Sequence, residues 1–186
     1  MKSYLITDPR FFHPFTNGFC RSLSTVYRRK HPDYCCLRDK AHPNYPQLAR
    51  RFLRQGKRFK TRMLLHGDWR LAKKLGAYGV HLPESKRREI AAARRAGLFV
   101  VASCHTQEGI KRALRQGALL ATLSPVFESP GKGTPLGVSF LKGCDAKIKP
   151  KIIALGGIVT AQQVASVAQT GIGFFASIRY FVQKEN

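Results

Sequence analysis

Residues suited to binding anions follow short apolar runs at several points along this chain. Hydroxyls, glycines and basic side chains are frequent there. Proteins hold phosphate with these groups, through backbone N–H, hydroxyl, ammonium and guanidinium donors. We therefore predict a phosphate-binding site. The positions are Thr7 and Asp8; Arg38, Asp39 and Lys40; His66, Gly67 and Asp68; Pro83 and Glu84; Ser103, Cys104 and His105; Ser124 and Pro125; Gly156 and Gly157; and Ser177.

Two of these positions have the character of phosphate cradles. Gly156 and Gly157 end an apolar run and precede a helical pattern, so backbone N–H groups can approach an anion closely there. Ser177 follows the next apolar run and adds a hydroxyl. The alternative is that the paired glycines serve only to make a tight turn.

A second anion pocket is indicated by Arg38, Lys40 and the segment 127–134, which contains Ser129 and Lys132. A lysine flanked by glycines can close over a diphosphate, and a guanidinium can bind one through two parallel hydrogen bonds. Gly-Lys-Gly-Thr at 131–134 lacks the spacing of a P-loop, so it is no nucleotide-binding signature by itself.

Three histidines fall in or after apolar runs. His66 and His105 directly follow such runs and are as compatible with a site as with a scaffold. Histidine is suited to proton transfer because its ordinary pKa lies near neutrality. His81 lies inside a run, where a hydrogen-bonded structural role is the expectation.

Eight short β-rich runs recur at fairly even intervals along the chain. Most are nearly all apolar, which is typical of strands buried on both faces. Helical patterns separate them, with Ser85, Thr106 and Thr160 as expected N-caps. Glycines are expected to end the helices. The runs are 3–7, 33–37, 62–65, 79–82, 98–102, 119–123, 151–155 and 173–176, and the glycines are Gly56, Gly76, Gly97, Gly117 and Gly171.

Alternating strands and helices predict an α/β fold, a compact (β/α)₈ TIM barrel, as a single domain over 1–186. The residues that follow the strands would then meet at one end of the barrel. The chain has 186 residues, whereas about 250 is typical of such barrels. We therefore expect some helices to be shortened or missing, above all in 10–27 and 135–149.

The chain is strongly basic, with 33 Lys and Arg against 10 Asp and Glu and a net charge of +23. Such a charge attracts polyanions, but the basic residues are spread over several helical patterns, so only non-specific nucleic-acid binding is expected. No apolar stretch is long enough for a membrane span or signal peptide. The five cysteines lack Cys-x-x-Cys spacing, which argues against disulfides and zinc. A cytoplasmic location is expected.

The chain resembles the thiamin phosphate synthase and thiazole tautomerase family. The segments that carry this resemblance occur in order along nearly the whole sequence, at 4–8, 37–40, 71–82, 103–108, 124–129 with Lys132, 154–158 and 176–178. A synthase joins a hydroxymethylpyrimidine diphosphate to a thiazole phosphate, so the resemblance implies phosphorylated pyrimidine and thiazole ligands. It assigns the diphosphate to Arg38, Lys40, Ser103, Ser129 and Lys132, and the thiazole phosphate to Gly156, Gly157 and Ser177.

The chain departs from the family where magnesium ligands are expected. The family has Asn-Asp after the third strand, where this chain has His66 and Gly67, and a carboxylate at the position of Lys86. Magnesium needs only one or two carboxylates together with substrate oxygens, so Asp68 and Glu84 are candidate replacements. Alternatively, Lys86 neutralises the diphosphate itself.

Two other functions stay open at this point. A tautomerase would need His66 or His105 for proton transfer, since proline stands at position 125, where the tautomerase has a histidine. A non-catalytic protein would bind thiamin precursors or polyanions. A homo-oligomer is compatible with each of the three functions.

Overall fold

The computed structural model describes residues 1–12, 18–39 and 41–183. Its eight parallel strands pair in chain order, and the first closes on the last to complete a barrel. The strands are β1 (Lys2–Ile6), β2 (Tyr34–Leu37), β3 (Arg62–His66), β4 (Gly79–Leu82), β5 (Phe99–Cys104), β6 (Leu120–Leu123), β7 (Ile152–Leu155) and β8 (Phe174–Ser177). The predicted (β/α)₈ TIM barrel is confirmed.

A helix follows every strand on the outside of the barrel. The α-helices are α1 (Gly18–Lys30), α2 (Tyr45–Phe59), α3 (Trp69–Lys74), α4 (Ile90–Arg95), α5 (Gln107–Arg115), α6 (Gly137–Lys142), α7 (Ala161–Ala168) and α8 (Arg179–Val182). Short 3-10 helices cover Glu84–Glu89 and Lys149–Lys151. The helix in 135–149 is short, as expected. The region 10–27 instead contains the start of a 13-residue helix, because Phe19, Leu23 and Val26 form a buried stripe at helical spacing.

Two apolar cores flank the strands. The larger one lies between the sheet and the helices, and a smaller one fills the barrel interior. Successive residues of a strand point to opposite faces, so inward and outward side chains alternate. The buried members of the interior core are Tyr4, Ile6, Tyr34, Cys36, Leu64, Val101, Leu120, Ile153, Phe174 and Ala176.

The predicted helix boundaries hold in part. Thr106 and Thr160 cap α5 and α7, and Thr160 forms a full capping box. Ser85 does not start a helix: the segment begins as a 3-10 helix with Lys86 out of helical geometry. Gly76, Gly97, Gly117 and Gly171 take positive φ at helix ends. Gly56 was wrongly predicted as an end and lies inside α2, whose cap is Lys60.

Candidate functional site

Three side chains from different strands form a hydrogen-bonded chain inside the barrel. The Tyr4 hydroxyl lies 3.1 Å from Nδ1 of His81, and Nε2 of His81 lies 3.1 Å from Oγ of Ser103. Tyr4 and His81 are buried, whereas Ser103 is half-buried near the C-terminal end of β5. A buried neutral imidazole carries one N–H. When Tyr4 donates to Nδ1, the N–H on Nε2 points at Ser103, and the serine hydroxyl is free to donate to a ligand.

The environment of His81 keeps it neutral. Burial, then the neighbouring His66 and then Arg38, lower the pKa of His81 to about 3. The His66 and His81 rings stand edge to face, with centroids 5.7 Å apart. Arg38, His66, His81 and Ser103 therefore form one cluster of donors at the C-terminal ends of β2 to β5. The sequence assigned His81 to the scaffold, and its partners lie on strands distant in the chain.

The stability of the protein should fall in mild acid because of His81. Its pKa is lower in the folded state than in the unfolded chain, so unfolding takes up a proton between about pH 3 and pH 6.5. Stability contributed by the neutral imidazole is present above that window and lost as the pH falls through it. Between pH 7 and pH 5 the wild type should lose about 2 kcal/mol more than His81→Gln. Urea unfolding at both pH values measures this difference.

Other titrating groups are common to the two proteins and cancel in the comparison. A wild type and His81→Gln variant that lose the same free energy of unfolding would show that His81 titrates normally when folded.

Arg38 is half-buried and lies at the end of β2. Its backbone N–H donates to the Thr7 hydroxyl over 2.9 Å, which ties the first two strand ends together. Its positive charge helps to lower the pKa values of His81 and of Asp8. The main cause of the low Asp8 pKa is the hydrogen bond from Arg10, at 2.8 Å between Nη2 and Oδ2. Asp8 is therefore paired with Arg10, whereas Arg38 makes no ion pair with a described residue and can bind an anion. Lys40 lies outside the described residues.

The two predicted histidines at strand ends occupy different surroundings. The backbone N–H of His66 donates to the hydroxyl of Tyr45 over 3.3 Å, and that hydroxyl donates to Leu37 O over 2.9 Å. Nδ1 of His105 donates to Ser124 O over 2.8 Å, and its Nε2 lies 3.9 Å from a carboxylate oxygen of Glu84. His66 belongs to the cluster around His81, whereas His105 lies at the ends of β5 and β6.

The carboxylates predicted to bind magnesium have other partners. Asp68 is exposed and caps α3, accepting from Leu71 N over 2.9 Å. Glu84 faces His105. Beside Asp68, the ammonium of Lys86 donates to Gly67 O over 2.7 Å. The described residues contain no group of three or more His, Cys, Asp or Glu that could hold a metal ion. Magnesium binding by Asp68 and Glu84 stays a prediction.

The loop after β6 carries the remaining predicted cation. Lys132 is exposed, and its backbone N–H closes a turn on Ser129 O over 3.1 Å. Ser129 is half-buried. The loop packs against the end of β7 through hydrogen bonds from Val126 N to Leu155 O and from Phe127 N to Gly156 O. Lys132 makes no ion pair with another described residue.

Gly156 and Gly157 are required by close packing as well as by backbone conformation. Both have positive φ, 99° and 70°. A Cβ on Gly156 would lie 2.8 Å from Pro125 Cα, and one on Gly157 would lie even closer to Glu128 O. Within the described part of the chain, no hydrogen bond uses the N–H of Gly157. The turn thus brings a backbone donor to the end of β7.

Ser177 uses its hydroxyl inside the protein. Its Oγ donates to Ile158 O over 2.6 Å and accepts from Tyr180 N over 3.1 Å. The side chain is buried. Its single hydroxyl hydrogen is therefore already donated, so it supports the Gly157 turn rather than presenting a hydroxyl donor to a ligand.

A further polar group, Thr122 on β6, was missed by sequence reasoning. Thr122 pairs with Ser103 in the β5–β6 register, and its buried hydroxyl has no hydrogen-bond partner among the described residues. No signal in the sequence indicated a site there, because Thr122 lies within an otherwise apolar run. Alternation along β6 would have placed it on the same inward face as Leu120.

A comparison with known protein families identifies the family to which this barrel belongs. Residues 3–181 match the TMP-TENI family, described as thiamine monophosphate synthase. The chain belongs to the thiamine monophosphate synthase family. The resemblance noted from the sequence is confirmed. Members of this family are transferases of thiamin biosynthesis. The match extends from β1 to α8, so it includes every strand of the barrel.

Relatives within the family differ from this chain at most positions. A thiamine-phosphate synthase of Serratia proteamaculans is 33% identical over 134 residues, which are 69% of this chain and 63% of that protein. One of Yersinia pestis is 30% identical over 129 residues, 66% of this chain and 60% of the relative. A Geobacter sulfurreducens relative is matched over 65% of its length. The chain thus aligns with less than two thirds of each of these relatives.

Solved structures reproduce the fold of the thiamine monophosphate synthase family. The thiamine phosphate pyrophosphorylase of Pyrococcus furiosus superposes with a TM-score of 0.76 and 21% identity, over 95% of this chain and 85% of that one. A structure described as native KDPGal gives 0.75 at 15% identity. At these identities the likeness shows the barrel alone. Among the described residues, no helix has the length and apolarity to cross a membrane.

Proposed function

We propose that this chain is a thiamin phosphate synthase, which joins hydroxymethylpyrimidine diphosphate to thiazole phosphate and releases diphosphate. The proposal rests on the set of donors around Arg38 and Ser103, in a chain that belongs to this family. These donors lie at the C-terminal ends of the strands, which we call the barrel mouth. The five free cysteines, four of them buried, favour a reducing compartment such as the cytoplasm.

The reaction requires the protein to stabilise the leaving diphosphate electrostatically and to position the thiazole nitrogen near the reacting carbon. The bond between the pyrimidine methylene carbon and the diphosphate oxygen breaks, and the electron pair leaves with the diphosphate. The thiazole nitrogen then supplies the pair for the new carbon–nitrogen bond. Cations and fixed hydrogen-bond donors aimed at the leaving diphosphate lower the barrier because negative charge develops there.

The mouth supplies these donors from separate strand ends. We assign the diphosphate to Arg38 and Lys132, with Lys40 as a third cation and Ser129 on the loop after β6. Ser103 would donate its hydroxyl, oriented by Nε2 of His81 at 3.1 Å. Lys86, bound to Gly67 O, places an ammonium at the end of β3. The charge of the leaving group would then be balanced mainly by side chains.

The second substrate would lie at the opposite strand ends. We assign the thiazole phosphate to the turn at Gly156 and Gly157, where the Gly157 N–H has no partner among the described residues. Ser177 holds that turn through Ile158 O. His66, beside His81, would add a hydrogen bond to a bound phosphate oxygen. His105 already donates its Nδ1–H to Ser124 O, so it would donate to a phosphate oxygen through Nε2 as the imidazolium.

Magnesium would add a Lewis acid for the diphosphate oxygens when bound. Because Asp68 and Glu84 have other partners, we propose that the side-chain cations hold the diphosphate and that any magnesium arrives with the substrate rather than residing in the protein.

The test is formation of thiamin phosphate from the two substrates, with magnesium and with a chelator. Magnesium-dependent product would establish the synthase with a metal that helps to hold the diphosphate. Product in the presence of the chelator would establish the synthase with cationic charge balance. No product in either condition, alongside measurable binding of thiazole phosphate, would overturn the synthase assignment.

A further inference from the structure

A groove of about 790 Å³ lies on the outer side of the barrel and reaches the end opposite the mouth. It runs along α2 from Gln47 to Lys57 and reaches the turn after α3. The starts of β3 and β4 border it, and residues before parallel strands lie at the face away from the strand ends that carry the site. Its lining residues are Gln47, Arg50, Arg51, Leu53, Arg54, Gly56, Lys57, Lys60, Thr61, Arg62, Met63, Leu75, Gly76 and Tyr78.

Every charged residue that lines this groove is a cation. These charged side chains are all exposed, and none makes an ion pair with a described residue. The sequence has no acidic residue between Asp39 and Asp68. Like charges held close together without counterions repel one another, so an anion bound here would relieve that repulsion. The rim cations are Arg50, Arg51, Arg54, Lys57, Lys60 and Arg62.

The floor of the groove is apolar and ends in an aromatic side chain. Leu53, Met63 and Leu75 line it. Tyr78 is 44% exposed, and its ring packs on Phe99 with centroids 5.1 Å apart. The Arg62 guanidinium lies 5.7 Å from the Tyr78 ring centroid. An exposed ring next to a guanidinium is the arrangement on which nucleic-acid bases stack.

The backbone holds one of these cations at an energetic cost. Lys60 caps α2 with φ 54° and ψ 28°, in the left-handed region where glycine is usual. Its N–H donates to Gly56 O. Gly56 in turn has no room for a side chain, because a Cβ there would overlap the Met63 side chain. Glycine would adopt this backbone conformation with less strain, but the lysine places an ammonium on the rim.

We propose that this groove binds single-stranded nucleic acid, with the rim cations on the phosphates and Tyr78 stacked on a base. The apolar floor and exposed ring favour a ligand with aromatic faces over inorganic polyphosphate, which offers charge alone. The groove shares no lining residue with the cluster of Arg38 and Ser103, and its proposed role does not depend on the proposed synthase activity.

The first test measures fluorescence anisotropy of a labelled uridylate 20-mer against salt. Six phosphate contacts predict a slope of log affinity against log salt of about −4. Arg54→Gln/Lys57→Gln should reduce that slope by about 1.4. The control Lys142→Gln/Lys151→Gln removes the same charge from exposed positions near β7. Equal slopes for the two double variants would overturn the proposal, because binding would then follow net charge alone.

The second test separates bases from phosphates. Tyr78→Leu keeps the floor apolar but removes the ring, and it should weaken uridylate binding about 5-fold or more while leaving binding of a polyphosphate of similar length unchanged. An equal effect on both ligands, or none on either, would overturn the stacking assignment. Binding of inorganic pyrophosphate should stay at the wild-type level in Arg54→Gln/Lys57→Gln, which shows that the mouth is intact.

Discussion

Replacing Arg38 by alanine is expected to weaken binding of inorganic pyrophosphate about 10- to 100-fold, since a hydrogen bond to a charged group contributes about 1.5–3 kcal/mol. Arg38 is half-buried, makes no ion pair among the described residues, and lies close enough to His81 and Asp8 to lower both pKa values. Isothermal titration calorimetry in the presence of a chelator measures the dissociation constant. Lys132→Ala should have an effect in the same direction, though smaller because Lys132 is exposed.

Two cysteines and a lysine serve as controls for this prediction. Cys20→Ala and Cys144→Ala alter residues on α1 and after α6 and should leave pyrophosphate binding near wild type. Arg38→Lys keeps the charge but loses the planar pair of donors, so it should restore only part of the affinity. Equal weakening in Arg38→Ala, Lys132→Ala, Cys20→Ala and Cys144→Ala would contradict the assignment of this pocket.

Gly157→Ala is expected to lower the melting temperature by roughly 5–15 °C and to abolish binding of thiazole phosphate. The residue has φ 70°, which alanine adopts only with strain, and an added Cβ would overlap Glu128 O. Strain and overlap together cost about 2–4 kcal/mol, and about 1 kcal/mol lowers the melting temperature by roughly 2–4 °C at this size. The loop after β6 must move away to relieve the overlap, taking Lys132 with it.

Gly133→Ala is the matched control in the same loop. It has no positive φ, and an added Cβ there meets nothing within 4 Å. It should leave the melting temperature within about 2 °C of wild type. A Gly157→Ala protein as stable as the Gly133→Ala protein would show that the loop adapts without cost and that the turn is not needed for packing.

The sequence predicted the barrel because its signals are local. Each strand is a short run of apolar residues, and capping threonines such as Thr106 and Thr160 begin helices through bonds to residues three positions away. Interactions of this range can be read from neighbouring residues. The prediction failed at Gly56, where a glycine inside α2 has its reason in Met63 on the next strand.

The residues of the candidate site were likewise predicted only where their signals are local. Gly156, Gly157 and Arg38 were predicted from their places after strands, since closure of a parallel barrel brings all strand ends to one face. His81 was assigned to the scaffold, and its link to Tyr4 spans 77 residues of sequence. The hydroxyl of Ser177, which follows the eighth apolar run, donates to Ile158 O, 19 residues away.

By itself, the sequence determined the order of strands and helices, the family, and the end of the barrel where the strand-end residues meet. Tertiary structure alone decided which donors are free: the Ser177 hydroxyl is engaged by Ile158 O, whereas the Gly157 N–H has no partner among the described residues. It also gathered the cations of α2 and the start of β3 around one groove. The physical reason is that hydrogen bonding and charge proximity depend on distances in space, which closure of the barrel sets.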